Sequence, residues 1–309
     1  MRETTDVSIV LVTYNGCEIT LRALELYSQA IAADDAHRYE LIVVDNASRD
    51  GLADAVAARY PGVRLICNAE NLGFARAGNI GFQASKGRYL LFSNSDIELD
   101  EETLPTLIAC MDADLQVGAC TPYLELVRTG EVDWGAHRGF PTPWAAFTYF
   151  ARLEALFRWS KPLSRLFGQY HLTDRDLTVA HEVDAIRGGF FLVRRDAFVE
   201  AGGWDEDYFM YAEDIDLCYM LKQHGYLVMF YPQARVLHYH GMTTGLKRHS
   251  QDIAVYDAAD QERAYNAFYD TMKTFYDKHY RDAYSPLARW LVFAAIDLRK
   301  RLGARNKTV

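Results

Sequence analysis

The run Val-Ser-Ile-Val-Leu-Val at residues 7–12, followed at once by Thr13, Tyr14 and Asn15, indicates the kind of fold that this chain adopts. Similar short runs follow at residues 39–44, 63–66 and 89–92, separated by segments of helical length. Short β-rich runs that alternate with helical segments predict a βαβ architecture. Because each run is apolar on both faces, the sheet is predicted to be mostly parallel, with helices on both sides.

Polar residues follow three of these predicted strands directly. The carboxyl ends of parallel strands share one edge of the sheet, which is where α/β proteins bind ligands. Taken singly, each polar residue is also typical of a turn or a helix cap. The residues concerned are Thr13, Tyr14 and Asn15 after the first strand, Asp45, Asn46 and Ser48 after the second, and Asn94, Ser95 and Asp96 after the fourth.

Charge and length narrow the class of protein. The chain has 309 residues and a formal net charge of −9, with an apolar half that is ample for a buried core. An acidic protein is unsuited to general nucleic-acid binding, so no nucleic-acid partner is expected. If such a protein binds an anionic phosphate, it needs a cation or local amide groups to offset the repulsion. A metal cofactor is therefore favoured.

The cysteines and the N-terminus indicate a cytoplasmic protein. Five cysteines are scattered along the chain without C-x-x-C spacing, which fits a reducing compartment. The apolar run at residues 7–12 is short and ends in polar residues, so it is interpreted as a first strand and not as a signal peptide. No segment is interpreted as a membrane span.

The second half of the chain is less regular. Residues 127–178 are rich in aromatic side chains and arginine and are predicted to form a variable lid or an acceptor-facing region. A β-rich run interrupted by Gly188 and Gly189 is expected at residues 183–193, and a helical region at residues 253–302. That region ends in an apolar stretch, residues 290–296, followed by basic residues. Such a helix either contacts a membrane surface or packs on its own core or a partner subunit.

An acidic motif, Glu213-Asp214-Ile215-Asp216, stands at the predicted start of a second-half helix. The positive end of the helix dipole helps to keep a carboxylate ionised there, which suits a general base. A carboxylate directly after a buried strand, such as Asp96, can hold a divalent cation. The two clusters together predict a metal-assisted transfer reaction.

The motifs and their order resemble the inverting family-two glycosyltransferases with a GT-A fold, particularly their bacterial rhamnosyltransferase-like members. The resemblance covers roughly residues 6–245. It is carried by Val-Thr-Tyr-Asn at 12–15, Val-Asp-Asn-Ala-Ser at 44–48, Asn-Leu-Gly-Phe-Ala-Arg-Ala-Gly-Asn at 71–79, Asn-Ser-Asp at 94–96, Gly-Gly-Trp-Asp-Glu at 202–206 and Glu-Asp-Ile-Asp at 213–216.

The resemblance implies an α/β, GT-A fold: a Rossmann-like, mixed but mostly parallel sheet flanked by helices, with a C-terminal helical region. Residues 1–126 are expected to form the nucleotide-sugar-binding half. Residues 127–250 are expected to form the acceptor-binding and catalytic half of the same domain, and residues 251–309 a helical extension.

The nucleotide site implied by the resemblance lies at the strand ends. Asp45 would accept hydrogen bonds from the base or ribose, and glycine at position 73 would allow close backbone approach. The full set of implied donor-binding residues is Thr13, Tyr14, Asn15, Asp45, Asn71, Gly73, Asn79, Asn94 and Ser95.

Asp96 matches the last position of the family's D-x-D-type metal motif, whose first acidic position is Asn94 in this chain. With one charge fewer, a Mg²⁺ or Mn²⁺ ion would rely on Asp96, the donor diphosphate, water and a downstream histidine. His238 and His240 share a face if their segment is extended, so parity does not choose between them. His238 is the better match to the family's metal-binding histidine.

The remaining predicted roles lie in the second half. Asp214 matches the family's general base, while Glu213 and Asp216 would orient it or bind acceptor hydroxyls. Trp204, which follows two glycines, would present its ring to the acceptor sugar, and Asp205 would bind a hydroxyl of that sugar.

The predicted activity is transfer of a hexose or deoxyhexose to a glycan or polyprenyl-linked acceptor in cell-envelope polysaccharide synthesis. The resemblance favours dTDP-L-rhamnose as donor, with a UDP-sugar as the alternative. A nucleotidyltransferase would need a basic glycine-rich loop after the first strand, and residues 12–16 contain no lysine or arginine. A non-catalytic nucleotide-sugar-binding protein stays open, and an NAD enzyme is disfavoured because no G-x-G-x-x-G follows that strand. The expected location is the cytoplasm, with peripheral contact at the inner face of the plasma membrane through the C-terminal helix.

Overall fold

A computed structural model describes residues 5–239 and 258–305. Within these residues, nine strands form one sheet. The strands are β1 (Val7–Thr13), β2 (Tyr39–Asp45), β3 (Arg64–Cys67), β4 (Tyr89–Ser93), β5 (Ile97–Leu99), β6 (Val117–Leu126), β7 (His181–Glu182), β8 (Phe190–Arg194) and β9 (Leu227–His238).

Helices flank the sheet and extend beyond it. They are α1 (Cys17–Ala33), α2 (Leu52–Arg59), α3 (Phe74–Ala84), α4 (Thr103–Ala113), α5 (Pro143–Phe150), α6 (Leu153–Phe157), α7 (Lys161–Phe167), α8 (Arg195–Glu200), α9 (Glu213–Gln223), α10 (Ala258–His279) and α11 (Pro286–Arg305), with a short 3-10 helix at Trp134–Ala136.

The strand order creates a crevice beside β1. The order is β3-β2-β1-β4-β8-β6-β9-β5, and β7 pairs with β9. The first four strands are parallel, as predicted, while β8 runs antiparallel to β4 and β6. Strand β1 has β2 on one side and β4 on the other. The loops that follow β1 and β4 therefore lead away from each other. The crevice between them lies where the sequence places its polar residues.

The sheet is buried on both faces. Along β1, Ile9 and Leu11 belong to one apolar cluster, while Val10 between them belongs to the other. Side chains that alternate across a strand explain this division. Helix α3 packs closely enough that a Cβ atom at Gly81 would lie 2.3 Å from a methyl carbon of Val10. The continuous apolar runs therefore reflect burial by helices on each side of the sheet.

Residues 127–178 contain the short helices α5, α6 and α7, which the irregular sequence did not predict. The segment that carries these three helices is called the excursion below. Its two ends lie together, since the Gly139 backbone N–H donates to the Tyr170 carbonyl at 2.9 Å. The prediction of one β-rich run at 183–193 is wrong in extent. Only Phe190–Arg194 forms β8, and residues 183–189 approach it as non-regular chain.

The C-terminal helices were predicted correctly as helical, and α10 packs on the core. Phe275, Tyr276 and Tyr280 of α10 join the apolar cluster that contains Val10. Helix α11 packs on α10 through contacts such as Phe293 against Tyr276, with ring centroids 5.8 Å apart. Across the described residues, no helix combines the length and apolar character needed to cross a membrane. All five cysteines are free thiols.

Candidate active site

Buried hydroxyl groups tie together the carboxyl ends of β1 and β4. Thr13 Oγ1 lies 2.8 Å from Thr20 Oγ1, which lies 3.0 Å from Ser95 Oγ. None of the three side chains is more than 6% exposed. A buried hydroxyl group without a hydrogen-bond partner costs about 1–3 kcal/mol. Separating β1 from β4 would break this chain of hydrogen bonds, so the chain fixes the width of the crevice. The structure thus brings Thr13 and Ser95, two of the predicted donor-binding residues, to one rim.

The turn after β2 is capped by Asp45. Its Oδ1 accepts from the Ser48 N–H at 2.9 Å, and Ser48 Oγ accepts from the Asn15 N–H at 2.9 Å. Asn15 has a φ of 49°, a left-handed conformation that asparagine tolerates. The capping role that sequence alone allows for Asp45 is therefore present. A carboxylate has a second oxygen, so capping through Oδ1 is compatible with a ligand at Oδ2.

Asn71 and Gly73 form the loop that leads from β3 into α3. Asn71 Oδ1 accepts from Asn46 Nδ2 and from the Gly73 N–H, each at 3.0 Å. Gly73 has a φ of 83°, and a Cβ atom there would lie 2.2 Å from the Phe209 carbonyl oxygen. The close backbone approach that glycine permits is thus made by Phe209 of the protein itself. This differs from the predicted approach to a nucleotide.

Asn79 has a structural role beside its predicted one. Its Oδ1 accepts from the Trp204 N–H at 3.1 Å, and its Nδ2 donates to the Trp204 carbonyl at 2.8 Å and to Glu206 Oε1 at 3.0 Å. An amide nitrogen carries two hydrogens, so both are used. Asn79 ties α3 to the loop before α9, and its place in the nucleotide pocket stays a prediction.

Trp204 lies in the core and does not face an acceptor. Its side chain is 1% exposed, and its ring centroid lies 4.9 Å from that of Phe92 and 5.2 Å from that of Phe191. The small residue Gly78 makes room for the indole, since a Cβ atom there would lie 2.8 Å from it. The prediction that its ring binds a sugar is wrong, because Trp204 fills the space between α3 and the sheet.

Helix α9 begins with a strained backbone that directs its first turn inward. Tyr211 and Ala212 have φ values of 71° and 67°, in the left-handed region that non-glycine residues rarely adopt. Conformations of this kind cost on the order of 1–3 kcal/mol each and often occur at functional sites. They bring Glu213 and Asp214 to buried positions at the predicted helix start, each 7% exposed.

Asp214 is held by donors from two other segments. Its Oδ2 accepts from Arg138 Nη2 at 2.8 Å and from the Gly188 N–H at 3.1 Å, and its Oδ1 accepts from the Ile215 N–H at 2.8 Å. The Arg138 side chain is only 12% exposed, so the pair is largely shielded from solvent. These bonds fix the orientation of the carboxylate and compensate its negative charge.

The neighbouring Glu213 is in a different electrostatic state. Within the described part of the chain, no hydrogen-bond donor reaches its Oε2 atom. Burial and the adjacent negative charge of Asp214 raise the pKa of Glu213 from 4.5 to about 8. Two neighbouring carboxyl groups thus differ in environment, which is a common way for a site to separate an acid from a base.

Asp96 and His238 meet at the end of β4. The register of β5 and β9 places Ile97 opposite His238, and Asp96 Oδ1 lies 3.5 Å from His238 Nε2. The opposite ring nitrogen, Nδ1, lies 2.7 Å from Asp133 Oδ2. Burial lowers the pKa of His238, but the hydrogen bonds to Asp133 and Asp96 outweigh it and raise that pKa overall. His240 lies outside the described residues.

This arrangement suits a divalent cation. The Asp133 carboxylate accepts from Nδ1, so Nε2 of His238 points toward Asp96. In the described ranges, no group of three or more His, Cys, Asp or Glu side chains could by itself hold a metal. Mg²⁺ and Mn²⁺ commonly bind with one or two protein ligands, completing their shell with substrate phosphates and water. Asp96 and His238 fit this pattern, and either ion is compatible with them.

The segment Arg187–Gly189 connects the acidic clusters. Arg187 Nη1 donates to Asp133 Oδ2 at 2.6 Å, the Gly188 N–H donates to Asp214, and the Gly189 carbonyl accepts from the Asn94 N–H at 3.0 Å. A Cβ atom at Gly189 would lie 3.3 Å from Asn94 Nδ2, closer than most such contacts. One short stretch of chain thus contacts the Asp96 loop, the carboxylate that pairs with His238 and the start of α9.

Three residues on α10 bind groups near the site. Tyr14 donates from its hydroxyl to Asp260 Oδ2 at 2.9 Å. Lys278 Nζ lies 2.5 Å from Asp205 Oδ2 and 2.8 Å from Asp216 Oδ2, and His279 Nε2 lies 2.6 Å from Asp216 Oδ1. The interpretation of Asp216 as an acceptor-binding group is therefore wrong, because both of its oxygens anchor α10. Asp205 takes part in the same contact with α10 through one of its two oxygens, Oδ2.

Sequence reasoning missed Asp133, Arg138 and Arg187. Two of them lie in the irregular stretch 127–178, where no hydrophobic period marks a strand or helix end. The position of Arg187 was a usable signal, because it directly precedes the two glycines of a mostly apolar run. A charged side chain next to a buried turn needs a partner, and that partner is Asp133.

The sheet order, the crevice beside β1 and the pair of Asp96 and His238 at the end of β4 define a GT-A glycosyltransferase. The chain belongs to glycosyl transferase family 2, whose family model matches residues 8–200. The model for glycosyl transferase family group 2 matches residues 107–305. Together the two matches extend over nearly all of the described chain.

Two curated relatives are rhamnosyltransferases. The N-acetylglucosaminyl-diphospho-decaprenol L-rhamnosyltransferase of Mycobacterium tuberculosis is 28% identical over 319 residues, covering 98% of this chain and 94% of the relative. Rhamnosyltransferase WbbL of Escherichia coli K12 is 27% identical over 241 residues, covering 75% of this chain and 83% of the relative. The chain is therefore rhamnosyltransferase-like in sequence.

Solved structures support the fold. The mannosyltransferase PcManGT from Pyrobaculum calidifontis, in complex with GDP-Man and Mn²⁺, superposes with a TM-score of 0.55 at 18% identity, covering 98% of this chain and 72% of that one. GalNAc-T7 with UDP, GalNAc and Mn²⁺ superposes with a TM-score of 0.53 at 17% identity, covering 77% of this chain and 44% of that one. At these identities the likeness concerns the fold alone.

Proposed function

We propose that this protein is an inverting glycosyltransferase that moves L-rhamnose from dTDP-L-rhamnose to a hydroxyl group of a lipid-linked glycan. The observation that supports the proposal is that Arg187–Gly189 contacts both the Asp96 loop and Asp214. One short segment thus connects the proposed metal ligand with the proposed base. The names of both relatives support rhamnose as the sugar, and the name of the mycobacterial relative supports a lipid-linked acceptor. A UDP-sugar is the alternative donor.

The donor site is proposed to lie in the crevice between β1 and β4. Thr13, Asn15 and Asp45 would contact the nucleotide, because their backbone and side-chain polar atoms line the rim of β1 and β2. Asn94 and Ser95 would approach the diphosphate from the end of β4. The preformed hydrogen bonds at this rim lower the entropic cost of binding.

The proposed reaction is a single in-line displacement. The acceptor hydroxyl oxygen forms a bond to the anomeric carbon while the bond from that carbon to the diphosphate oxygen breaks, so the configuration inverts. Asp214 accepts the hydroxyl proton, and Arg138 and the Gly188 N–H keep its carboxylate in place. Asp96 and His238 would hold a Mg²⁺ or Mn²⁺ ion, which when bound offsets the charge that develops on the departing nucleoside diphosphate.

The test of this function is a panel of sugar nucleotides incubated with the purified protein and Mg²⁺ or Mn²⁺, with and without a chelator. Binding and slow donor hydrolysis are measured for each donor. We expect chelator-sensitive hydrolysis of one donor, dTDP-L-rhamnose. Binding without any consumption, even with acceptor present, would favour the non-catalytic protein. Release of pyrophosphate in place of a nucleoside diphosphate would favour a nucleotidyltransferase.

Asp133→Asn is expected to weaken Mn²⁺ binding by about 10-fold to 100-fold, the usual effect of losing a carboxylate that orients a metal-binding histidine. The asparagine side chain would keep an oxygen near His238 Nδ1 but lose the charge that also pairs with Arg187. The dissociation constant is measured from the signal of free Mn²⁺ in electron paramagnetic resonance, with dTDP present, so the readout does not depend on turnover.

Glu131→Gln is the matched control for Asp133→Asn, because Glu131 is an exposed acid two residues earlier in the chain. Its Mn²⁺ affinity should equal that of the unmodified protein. Equal affinities for the Asp133→Asn variant and the control would show that Asp133 does not orient His238 for a metal.

Glu213→Gln is expected to make the free energy of unfolding less sensitive to pH. The folded-state pKa of Glu213 is about 8, above its ordinary value of 4.5, so the folded protein holds one proton more than the unfolded chain between these values. Its contribution to stability is complete below pH 4.5 and is lost as the pH rises to about 8, at up to about 1.4 kcal/mol for each pH unit. Denaturant unfolding at several pH values measures this slope.

The glutamine variant should therefore gain stability relative to the unmodified protein as the pH rises from 5 toward 8. Glu70→Gln serves as control, since Glu70 is exposed and its variant should follow the unmodified curve. Parallel curves for all three proteins would mean that Glu213 titrates as an ordinary surface glutamate.

The proposed location is the cytoplasmic face of the plasma membrane, where a lipid-linked acceptor is found. The support is chemical: α11 carries apolar residues followed by Arg299, Lys300 and Arg301. Removing residues after Pro286 should reduce membrane association of the protein. Unchanged association would assign α11 to packing against protein.

A further inference from the structure

The apolar stripe on α11 faces solvent. Its leucine and tryptophan side chains are spaced three, four or seven residues apart, with Trp290 and Leu291 adjacent, which places them on one face of the helix in a stripe about 22 Å long. The opposite face, including Phe293 and Ile296, packs against the protein. The exposed residues are Leu287 at 65%, Trp290 at 64%, Leu291 at 54%, Leu298 at 59% and Leu302 at 50%.

The excursion α5–α7 presents a second set of exposed apolar side chains. Large apolar residues this exposed and this close together in sequence are uncommon on soluble surfaces and mark interaction sites. The exposed residues are Trp144 at 41%, Phe147 at 56%, Leu156 at 61%, Trp159 at 80% and Leu166 at 47%.

The two sets adjoin. The guanidinium carbon of Arg299 on α11 lies 4.2 Å from the ring centroid of Phe150, the last residue of α5. The excursion also connects to the candidate active site, because it begins shortly after Arg138, whose side chain binds Asp214. Helices α5–α7 and α11 are called the apolar-basic face below.

The charge of the apolar-basic face indicates which kind of partner it can bind. Residues 143–167 contain four basic side chains and one acid, Glu154, which lies 2.7 Å from His171. Residues 286–305 contain five basic side chains and one acid, Asp297, which pairs with Lys273. Two of the basic side chains, Arg289 and Lys300, pair with acids of α10. Both segments are thus positive in a chain of net charge −9. Exposed Arg152, Arg158 and Lys161 stand among the apolar residues of the excursion.

We propose that α5–α7 and α11 together form one docking surface for an anionic lipid bilayer. Tryptophan and leucine enter the boundary between headgroups and acyl chains, while arginine and lysine bind anionic headgroups. A second copy of this chain fits poorly, since joining two such faces would bring positive surfaces together. The inference rests on the proposed function only in that the surface would deliver a lipid-linked acceptor to Asp214, and its test needs neither donor nor acceptor.

The test is co-sedimentation of the full chain with vesicles of phosphatidylcholine, with or without phosphatidylglycerol. We expect binding to the anionic vesicles that weakens at high salt, because screening removes the headgroup attraction. Trp159→Ala and Trp290→Ala should each weaken binding by about tenfold, and Lys161→Gln by about fivefold. Leu115→Ala is the matched control, since Leu115 is 73% exposed and lies just after the end of α4, outside the apolar-basic face.

The outcomes distinguish a docking surface formed by α5–α7 and α11 together from one formed by α11 alone. If only Trp290→Ala weakens binding, the excursion is not part of the docking surface and the proposal is overturned. Absence of vesicle binding, or dimers that the tryptophan variants dissociate, would also overturn it, the latter in favour of a second copy. Quenching of tryptophan fluorescence by brominated lipids in the unmodified protein checks insertion without any variant. Donor hydrolysis without vesicles should stay unchanged in all variants, which separates failure of this proposal from failure of the proposed function.

Discussion

Asp96→Asn is expected to lower the rate of sugar transfer by about 10³-fold. A divalent ion at a departing diphosphate contributes several kcal/mol, and each 1.4 kcal/mol corresponds to about a factor of ten. With Asn94 already neutral, the variant would have no carboxylate at the end of β4, leaving His238 as the remaining proposed ligand. Turnover of dTDP-L-rhamnose with saturating Mn²⁺ measures the effect, and Mn²⁺ affinity measured separately should fall as well.

Glu101→Gln, an exposed acid five residues along the chain, is the control and should keep the normal rate. Chelation of the unmodified protein should reproduce the loss seen for the Asp96→Asn variant, and added Mn²⁺ should restore only the unmodified protein. A metal-free protein that transfers at the normal rate would contradict the assignment of Asp96.

The strands and the rim they form could be predicted because their signals are local. Continuous apolar runs specify strands buried on both faces, and the shared direction of parallel strands brings their ends together. Thr13, Asp45 and Asp96 were expected near one edge for this reason, and the structure places all three at strand ends on that edge. The start of α9 at Glu213 was predictable from its acidic first turn.

The supporting contacts could not be predicted because they depend on distant parts of the chain. Asp133 meets His238 across 105 residues, and Arg138 meets Asp214 across 76. No local period encodes such pairs. For the same reason Trp204 was misassigned, since its neighbours Phe92 and Phe191 come from β4 and β8. A motif shows which residues matter, but only packing distinguishes a ligand contact from a structural one.

Asp214→Asn is expected to lower the transfer rate by about 10²-fold to 10⁴-fold, the usual contribution of a general base. Asparagine has the same shape and can still accept from the Gly188 N–H, so the donor site on β1 and β4 should keep its affinity. It cannot take a proton from the acceptor hydroxyl. The rate of transfer and the dissociation constant of the donor are therefore measured on the same preparation, and only the rate should change.

The neutral side chain would also leave buried Arg138 without its carboxylate partner, which costs about 3–5 kcal/mol when such a pair is broken. Loss of rate by unfolding is distinguished from loss of the base by the donor affinity, which an unfolded site could not retain. Glu213→Gln provides the sharpest comparison, because it removes the adjacent titratable carboxyl group without touching the Arg138 pair. If Glu213→Gln loses the larger share of the rate while Asp214→Asn keeps nearly all of it, the proton acceptor is Glu213. Asp214 would then serve to position Arg138 and the backbone at Gly188.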